Sequence, residues 1–371
     1  MALVALGGNR WQFQAELGRD PLTRRRRRKT TVFEGTRRQA DRAHALFLAE
    51  TATEEPSANA TLSRLLVEWL DFKRQLSPTT RQEYRRLIGT RIGPALGDVP
   101  LRKLSAWDLD RFYSALERSG LAPGTVRQCH AILRGALEQA KRWRWVPSNV
   151  ALEASPPAMR RRPVRPPTFA AVQMLAAAAD RCDPELATAA VLAVMTGARR
   201  GELCALRRSA VDLDLGRILI RYSVAEVRGE GSIVKDTKTH AERVVAVDAD
   251  TVAMLKLHFE RQEERARIAE VTLDPDPYVL SRSFRCDRPW TPSNLSAAWA
   301  ALCRANGAAG VRFHDLRHFS VTALLDAGVP LPVVAKRHGH LDGNVTLGIY
   351  GHAVDGRDEA AAQVIRRTLN P

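Results

Sequence analysis

The chain has 371 residues, 45% of them hydrophobic, and its 57 Lys+Arg against 41 Asp+Glu give a formal net charge of +16. This length suits two or three domains, and the cationic excess points to a polyanionic partner, nucleic acid before an anionic membrane surface. No apolar run reaches the roughly eighteen residues that span a bilayer, and the scattered Cys129, Cys182, Cys204, Cys286 and Cys303, without C-x-x-C pairing, argue against a disulfide framework or a cysteine zinc site and for a reducing compartment.

The opening MALVALGGNR is too short and Gly-broken for a secretory signal. In RWQFQAEL, Trp11, Phe13, Ala15 and Leu17 alternate with polar neighbours, which is strand periodicity. GRDPLT has turn residues, and RRRRRKTTVF runs back with β-formers at its end, so a hairpin is expected, followed by a helix over RRQADRAHALFLAE. The run Arg24, Arg25, Arg26, Arg27, Arg28 and Lys29 could be a tail or a targeting signal. Its place between a strand pattern and a helix pattern favours a basic strand facing a phosphate backbone.

TATEEPSANA (51–60) has linker composition, and a helical block follows. TLSRLLVEWL sets Leu62, Leu65, Leu66, Trp69 and Leu70 on one face. SPTTRQEYRRLI opens with a Ser77 cap and Pro78 at the first helical position, and SAWDLDRFYSALE has Ser105 and Asp108 at capping-box spacing. With APGTVRQCHAILRGALEQAKRW as the fourth helix, residues 61–146 read as a four-helix domain. Arg81, Arg85, Arg127 and Arg134 lie on its polar faces. Singly each is read as a solvated side chain, and together as a DNA-facing surface.

EASPPAMRRRPVRPP (153–167) is an extended basic linker. From Thr168 the pattern is helix, helix, a strand group, then helices. RILIRYSV (217–224) and ERVVAVD (242–248) are the expected strands, joined through a turn at Gly229–Gly231 and SIVKDTKTH.

The last two hundred residues hold the chemistry. His314, His318, His338, His340 and His352 could ligate a metal, but H-x-H lacks the helical i, i+4 geometry of common zinc enzymes, and neither H-E-x-x-H nor a carboxylate cluster accompanies them. The other reading is a tyrosine nucleophile. A phenol titrates near about 10, so at neutral pH it needs a proton acceptor and cations to meet developing charge. Attack on a phosphodiester builds charge on non-bridging oxygens, which the planar arginine fork suits. The leaving alkoxide then needs an acid such as lysine or histidine. TGARRGE (from Thr196), TKTHAERVVAV (with Lys238), HDLRH (with His314 and Arg317 three apart, on one helix face) and HGHLDGNVTLGIYGH supply this kit in order.

These stretches resemble the boxes of the tyrosine recombinase, or phage integrase, family. TGARRGE matches T-G-x-R-x-x-E, which implies Arg199 as the first catalytic arginine, ahead of Arg200, with Glu202 as its supporting acid. TKTHAERVVAV matches the hairpin lysine, Lys238, ahead of Lys235. HDLRH matches H-x-L-R-H, implying His314 and Arg317 with His318 as the common extra histidine. HGHLDGNVTLGIYGH matches the Gly-His box, in which His340 precedes the nucleophile Tyr350 by ten residues. His338 stands where leucine is usual.

The resemblance implies a mixed, mainly α chain: a small N-terminal β-sheet plus helix domain (1–50), similar to three-stranded arm-type domains; a four-helix core-binding domain (59–152); and an α+β catalytic domain (165–371). It implies a site-specific recombinase that cuts and rejoins DNA through a 3′-phosphotyrosyl intermediate and a four-way junction, without metal or cofactor. The implied partners are double-stranded DNA at attachment sites, copies of the chain in a tetramer, and an accessory directionality factor. No membrane is involved, and the setting is the bacterial cytoplasm at the nucleoid. A type IB topoisomerase-like enzyme and a non-catalytic DNA-binding regulator are the competing expectations.

Overall fold

The computed structural model describes residues 2–19, 26–53, 60–159, 166–236 and 242–339. The tip of the GRDPLT turn, most of the first linker, the 160–165 arginine stretch, the Lys238 segment and everything from His340 onward lie outside the described residues. The chain divides into two compact units, Met1–Arg160 and Arg161–Pro371.

The first unit opens with an antiparallel sheet, β1 (Ala2–Gly7), β2 (Arg10–Arg19) and β3 (Arg26–Glu34), in that order, followed by α1 (Arg37–Thr53). Alternation along β2 buries Phe13 and Ala15 against Ala40 and Phe47 of α1, with Phe33 stacked on Phe13 at 5.7 Å. The strand β1 had no alternating signature because its residues are nearly all apolar. Trp11 satisfies its indole by donating Nε1–H to the Gly35 carbonyl at 2.9 Å. The helix α1 runs to Thr53, into the stretch whose composition suggested a linker.

The helical part of this unit contains α2 (Leu62–Phe72), α3 (Pro78–Leu87), α4 (Gly93–Leu96), α5 (Ala106–Arg118) and α6 (Pro123–Arg142). The five α2 residues assigned to one face are all buried. Each such side chain contributes about 1.5–3 kcal/mol relative to exposure. Ser77 caps α3 from the Thr80 N–H, and Ser105 with Asp108 forms the reciprocal box at the start of α5. Between α3 and α4 the chain widens into a π turn over Ile88–Ile92, where the Gly93 N–H reaches back to Ile88. Pro94 has no N–H to give and would crowd the preceding turn of a regular helix, and the wider turn relieves both.

The second unit begins with α7 (Phe169–Cys182) and α8 (Pro184–Thr196). The helix α8 is apolar on almost every side and accordingly buried. After the short α9 (Arg200–Cys204) come β4 (Val211–Asp212), β5 (Arg217–Ile220), β6 (Tyr222–Val227), β7 (Gly231–Asp236) and β8 (Arg243–Ala246), then α10 (Ala249–Ile268), α11 (Pro292–Ala305), α12 (Asp315–Asp326) and α13 (Leu331–His338). One sheet has the order β4-β5-β8, and β6-β7 is a separate hairpin. The expected 217–224 strand is thus two strands in two sheets. Ile218 and Ile220 face inward, but the next in-phase residue, Tyr222, is exposed, so the inward alternation stops at Ile220. The core gathers Leu192, Ile218, Leu255, Phe259, Trp299 and Leu316.

Arg81 has a structural place here. Its Nη1 donates to the Leu70 carbonyl (2.7 Å) and its Nη2 to the Lys73 carbonyl (2.6 Å), closing the C-terminal end of α2. Arg85 is exposed. Arg81→Ala is therefore expected to lower unfolding stability by about 1–2 kcal/mol in urea titration, whereas Arg85→Ala stays within about 0.5 kcal/mol.

Candidate active site

The turn after α8 is set by Gly197, whose φ of +61° lies in the left-handed region. Thr196 supports it: its hydroxyl donates to the Leu192 carbonyl (2.6 Å) and accepts the Ala198 N–H (3.1 Å). Arg199 then leads into α9. Its backbone N–H donates to Glu202 Oε2 (2.9 Å) and its Nη1 to Glu202 Oε1 (2.9 Å).

The Glu202 side chain is 1% exposed. Arg243, the first residue of β8, donates Nη2 to Glu202 Oε2 at 2.6 Å. Burial pushes the Glu202 carboxyl up, but the contacts from Arg243 and Arg199 outweigh it and hold the group below the usual carboxylate range. The acid is therefore an anion clamped between two guanidinium groups.

The other anchor is the end of α13, which Gly339 terminates with φ +65°. Three successive carbonyls there accept from three arginines: Arg337 O from Arg243 Nε (3.0 Å), His338 O from Arg317 Nη2 (2.7 Å) and Gly339 O from Arg199 Nη2 (3.3 Å). Arg317 Nη1 also donates to the Gly197 carbonyl at the end of α8. A helix C-terminus presents unpaired carbonyls and about half a negative charge, so cations gather there. Arg199 and Arg317 are thereby held on neighbouring peptide units, directly before residue 340.

His314 and His318 flank Arg317. His314 is exposed at the start of α12, its ring edge-on to His318 at a centroid distance of 4.9 Å. The covered side of its ring is desolvated, and with His318 and Arg317 close by this pulls its imidazole down to about 4. The ring is then neutral near pH 7 and can accept a proton. Burial also lowers His318. His314 and Arg317 differ in setting: the histidine is at the surface, whereas Arg317 is 4% exposed.

His338, the residue standing in place of leucine, is fully buried. Its Nδ1 lies 2.9 Å from the Val334 carbonyl one turn back in α13 and its Nε2 3.3 Å from Ser320 Oγ of α12, so both ring nitrogens are engaged and the second ties α13 to α12. Arg200, the neighbour of Arg199, is exposed and donates Nη1 to Ser296 Oγ. Lys235 lies on β7 opposite Ser223. Lys238, His340, Tyr350 and His352 lie outside the described residues, as do Arg24 and Arg25. Arg26 and Arg27 belong to β3 by backbone. Arg28 is exposed, paired by register with Glu16, and Lys29 is half-buried opposite Ala15. Arg85, Arg127 and Arg134 are exposed, and Arg127 donates to the Pro157 carbonyl at 3.0 Å. Among the described residues no group of His, Cys, Asp and Glu side chains is arranged to hold a metal ion.

Sequence reasoning passed over Arg243 and Arg337. A signal for Arg243 was present: in RVVA it alternates in phase with the buried Val245, and an arginine on a core face needs a buried acid. Arg337 had no such signal. It donates Nη2 to the Met195 carbonyl (2.5 Å) and the Ala246 carbonyl (3.0 Å), partners distant in sequence.

Residues 168–357 match the phage integrase family, and residues 61–116 match the phage integrase N-terminal SAM-like domain. An integrase of Streptomyces ambofaciens is 29% identical, over 92% of this chain and 89% of its own length. A putative prophage phiRv2 integrase of Mycobacterium tuberculosis is 26% identical, over 89% of this chain and 84% of its own. In fold the chain is similar to the Tn1549 transposon integrase in complex with a circular intermediate DNA, with a TM-score of 0.69 and 18% identity over 83% of this chain and 99% of that one. It is also similar to a lambda integrase tetramer bound to a Holliday junction, with a TM-score of 0.59 and 18% identity over 92% and 96%.

A methyl group on Gly197 would lie 2.2 Å from the His338 ring, on a backbone that disfavours side chains. Gly197→Ala is expected to cost about 1–3 kcal/mol in urea unfolding, and less in a His338→Ala background, because the clash is then removed. For His314, the folded value lies below the unfolded value of about 6.5, so its contribution to stability is lost as pH falls from there toward about 4. Denaturant midpoints measured across this window should fall more steeply for the wild type than for His314→Asn.

Proposed function

The chain belongs to the phage integrase family and is a site-specific DNA recombinase, and from this we propose that Tyr350 is its nucleophile and that Arg199, Lys238, His314, Arg317 and His340 complete the catalytic set. The observation that carries this reading is the pair of guanidinium groups, Arg199 and Arg317, on the adjacent Gly339 and His338 carbonyls. Two arginines so fixed suit the non-bridging oxygens of one phosphate, and the chain continues from them directly into His340.

In the proposed reaction the Tyr350 oxygen attacks the scissile phosphorus while His314, neutral near pH 7, takes the phenolic proton. The bond to the 5′-oxygen breaks, Lys238 protonates that oxygen, and a 3′-phosphotyrosyl link with a free 5′-hydroxyl remains. Arg199 and Arg317 meet the charge that develops on the phosphate, and His340 donates a further hydrogen bond to it. His318 and Glu202 orient their neighbours. One phosphoester replaces another, so the step needs neither ATP nor metal. Attack by the 5′-hydroxyl of a partner strand reverses the chemistry and exchanges strands. By likeness to the lambda integrase tetramer on a Holliday junction, four copies of this chain would act on a four-way junction.

The remaining parts follow from the same reading. Residues 1–50 act as an arm-type domain gripping flanking DNA through the Arg24–Lys29 strand, residues 59–152 as a core-binding domain, and residues 165–371 as the catalytic domain. Arg85, Arg127 and Arg134 contribute to the DNA-facing surface, and an accessory factor sets direction in the bacterial cytoplasm.

On a nicked duplex carrying its own crossover site, the wild type is expected to form a covalent protein–DNA complex in the presence of EDTA. Tyr350→Phe should bind that duplex with unchanged affinity and form no covalent complex. Capture of DNA by the Phe variant would move the nucleophile elsewhere, and loss of wild-type capture in EDTA would return the metal reading. Arg317→Lys keeps the charge but loses the fork, and the single-turnover rate should fall by roughly two orders of magnitude.

A further inference from the structure

Arg243 is the hub of contacts that the catalytic set does not use. It is 8% exposed, opens β8, and pairs in register with Ile220. Its Nη2 holds Glu202, the acid that orients Arg199, and its Nε holds the Arg337 carbonyl near the end of α13. The Arg337 side chain returns the contact by donating to the Ala246 carbonyl in β8. The strand and the helix are thus latched in both directions. The third nitrogen, Nη1, is buried without a hydrogen-bond partner among the described residues and lies beside Gly339, where an added Cβ would stand 2.9 Å from it.

The places these contacts connect are specific. The strand β8 begins five residues after Lys238, α13 ends two residues before His340, and Glu202 sits three residues after Arg199. We infer that Arg243 is a positioning residue for strand cleavage: through Glu202 it aims Arg199, and through its latch with Arg337 it fixes the start of β8 and the end of α13, the segments that adjoin Lys238 and His340 in the sequence. This inference rests on the roles proposed above for those three residues. Arg243 itself touches no reacting atom. Its effect is exerted through geometry, where a displacement of about 1 Å can cost on the order of a hundredfold in rate.

The test uses the full chain carrying Arg243→Met, Arg243→Lys or Arg337→Met. Two quantities are read: the dissociation constant for an intact crossover-site duplex, and the single-turnover rate of covalent capture on the nicked duplex at saturating protein. Arg243→Met is expected to slow capture by roughly a hundredfold, with binding changed by less than about threefold. Arg243→Lys restores a cation to Glu202 without the second donor and should recover part of that loss. Arg337→Met removes the side-chain half of the latch, together with the contact to the Met195 carbonyl, without touching Glu202, and should slow capture with binding intact, which keeps the test decisive if Arg243→Met fails to fold. Rate and affinity falling together in proportion, a Lys variant no faster than Met, or wild-type rates in the variants would each overturn the inference. Absence of capture by the wild type would instead overturn the recombination chemistry on which it rests.

Discussion

The Glu202 carboxylate is the only acid shown among the described residues contacting Arg199 and Arg243, and it sits almost out of reach of water. A buried anion of this kind is costly to desolvate unless its partners are placed well, and removing one partner leaves an uncompensated charge worth several kcal/mol. The surrounding chain answers that constraint. The Gly197 turn delivers Arg199, the in-phase position on β8 delivers Arg243, and the backbone N–H of Arg199 supplies a third hydrogen bond. A guanidinium tied to the protein at one edge has lost most of its rotational freedom before any phosphate arrives, which is the preorganisation that charge stabilisation requires.

The same economy governs the ends of two helices. The α8 and α13 termini both present carbonyls, and Arg317 and Arg337 each bridge α8 to other parts of the site. Helix ends normally find water or a glycine-led turn for these groups. Here arginine meets them, and positive charge accumulates where two glycines, Gly197 and Gly339, allow the backbone to approach closely. His338 fills the space beside Gly197, so a histidine motif that could suggest metal chemistry contributes a packed, hydrogen-bonded ring at its first position.

In the first unit the basic residues divide by what their donors reach. Arg81 is engaged with the end of α2 and Arg127 reaches the Pro157 carbonyl, whereas Arg85 and Arg134 are exposed on α3 and α6. Charge count alone does not separate these cases. The difference lies in whether a backbone carbonyl is within reach, and for Arg81 the partner residues are eight and eleven positions away in the chain.

Much of this was legible in the linear chain because it is local. The apolar face of α2, the caps of Ser77 and Ser105, and the alternation of β2 each depend on residues within about two turns or a few strand positions, where side-chain spacing and backbone geometry are dictated by covalent structure. The order of the TGARRGE, HDLRH and HGH motifs was likewise readable, and with it the family. Tertiary structure alone decided the rest. It broke 217–224 into strands of two sheets, since only packing determines which side of Tyr222 meets solvent. It turned Arg81 into a cap and His338 into core. It brought Arg243 to Glu202, 41 residues away, and Arg317 to Gly197, 120 residues away. Separations of that kind carry no periodic trace, because the partner of a buried charge is chosen by the fold that buries it.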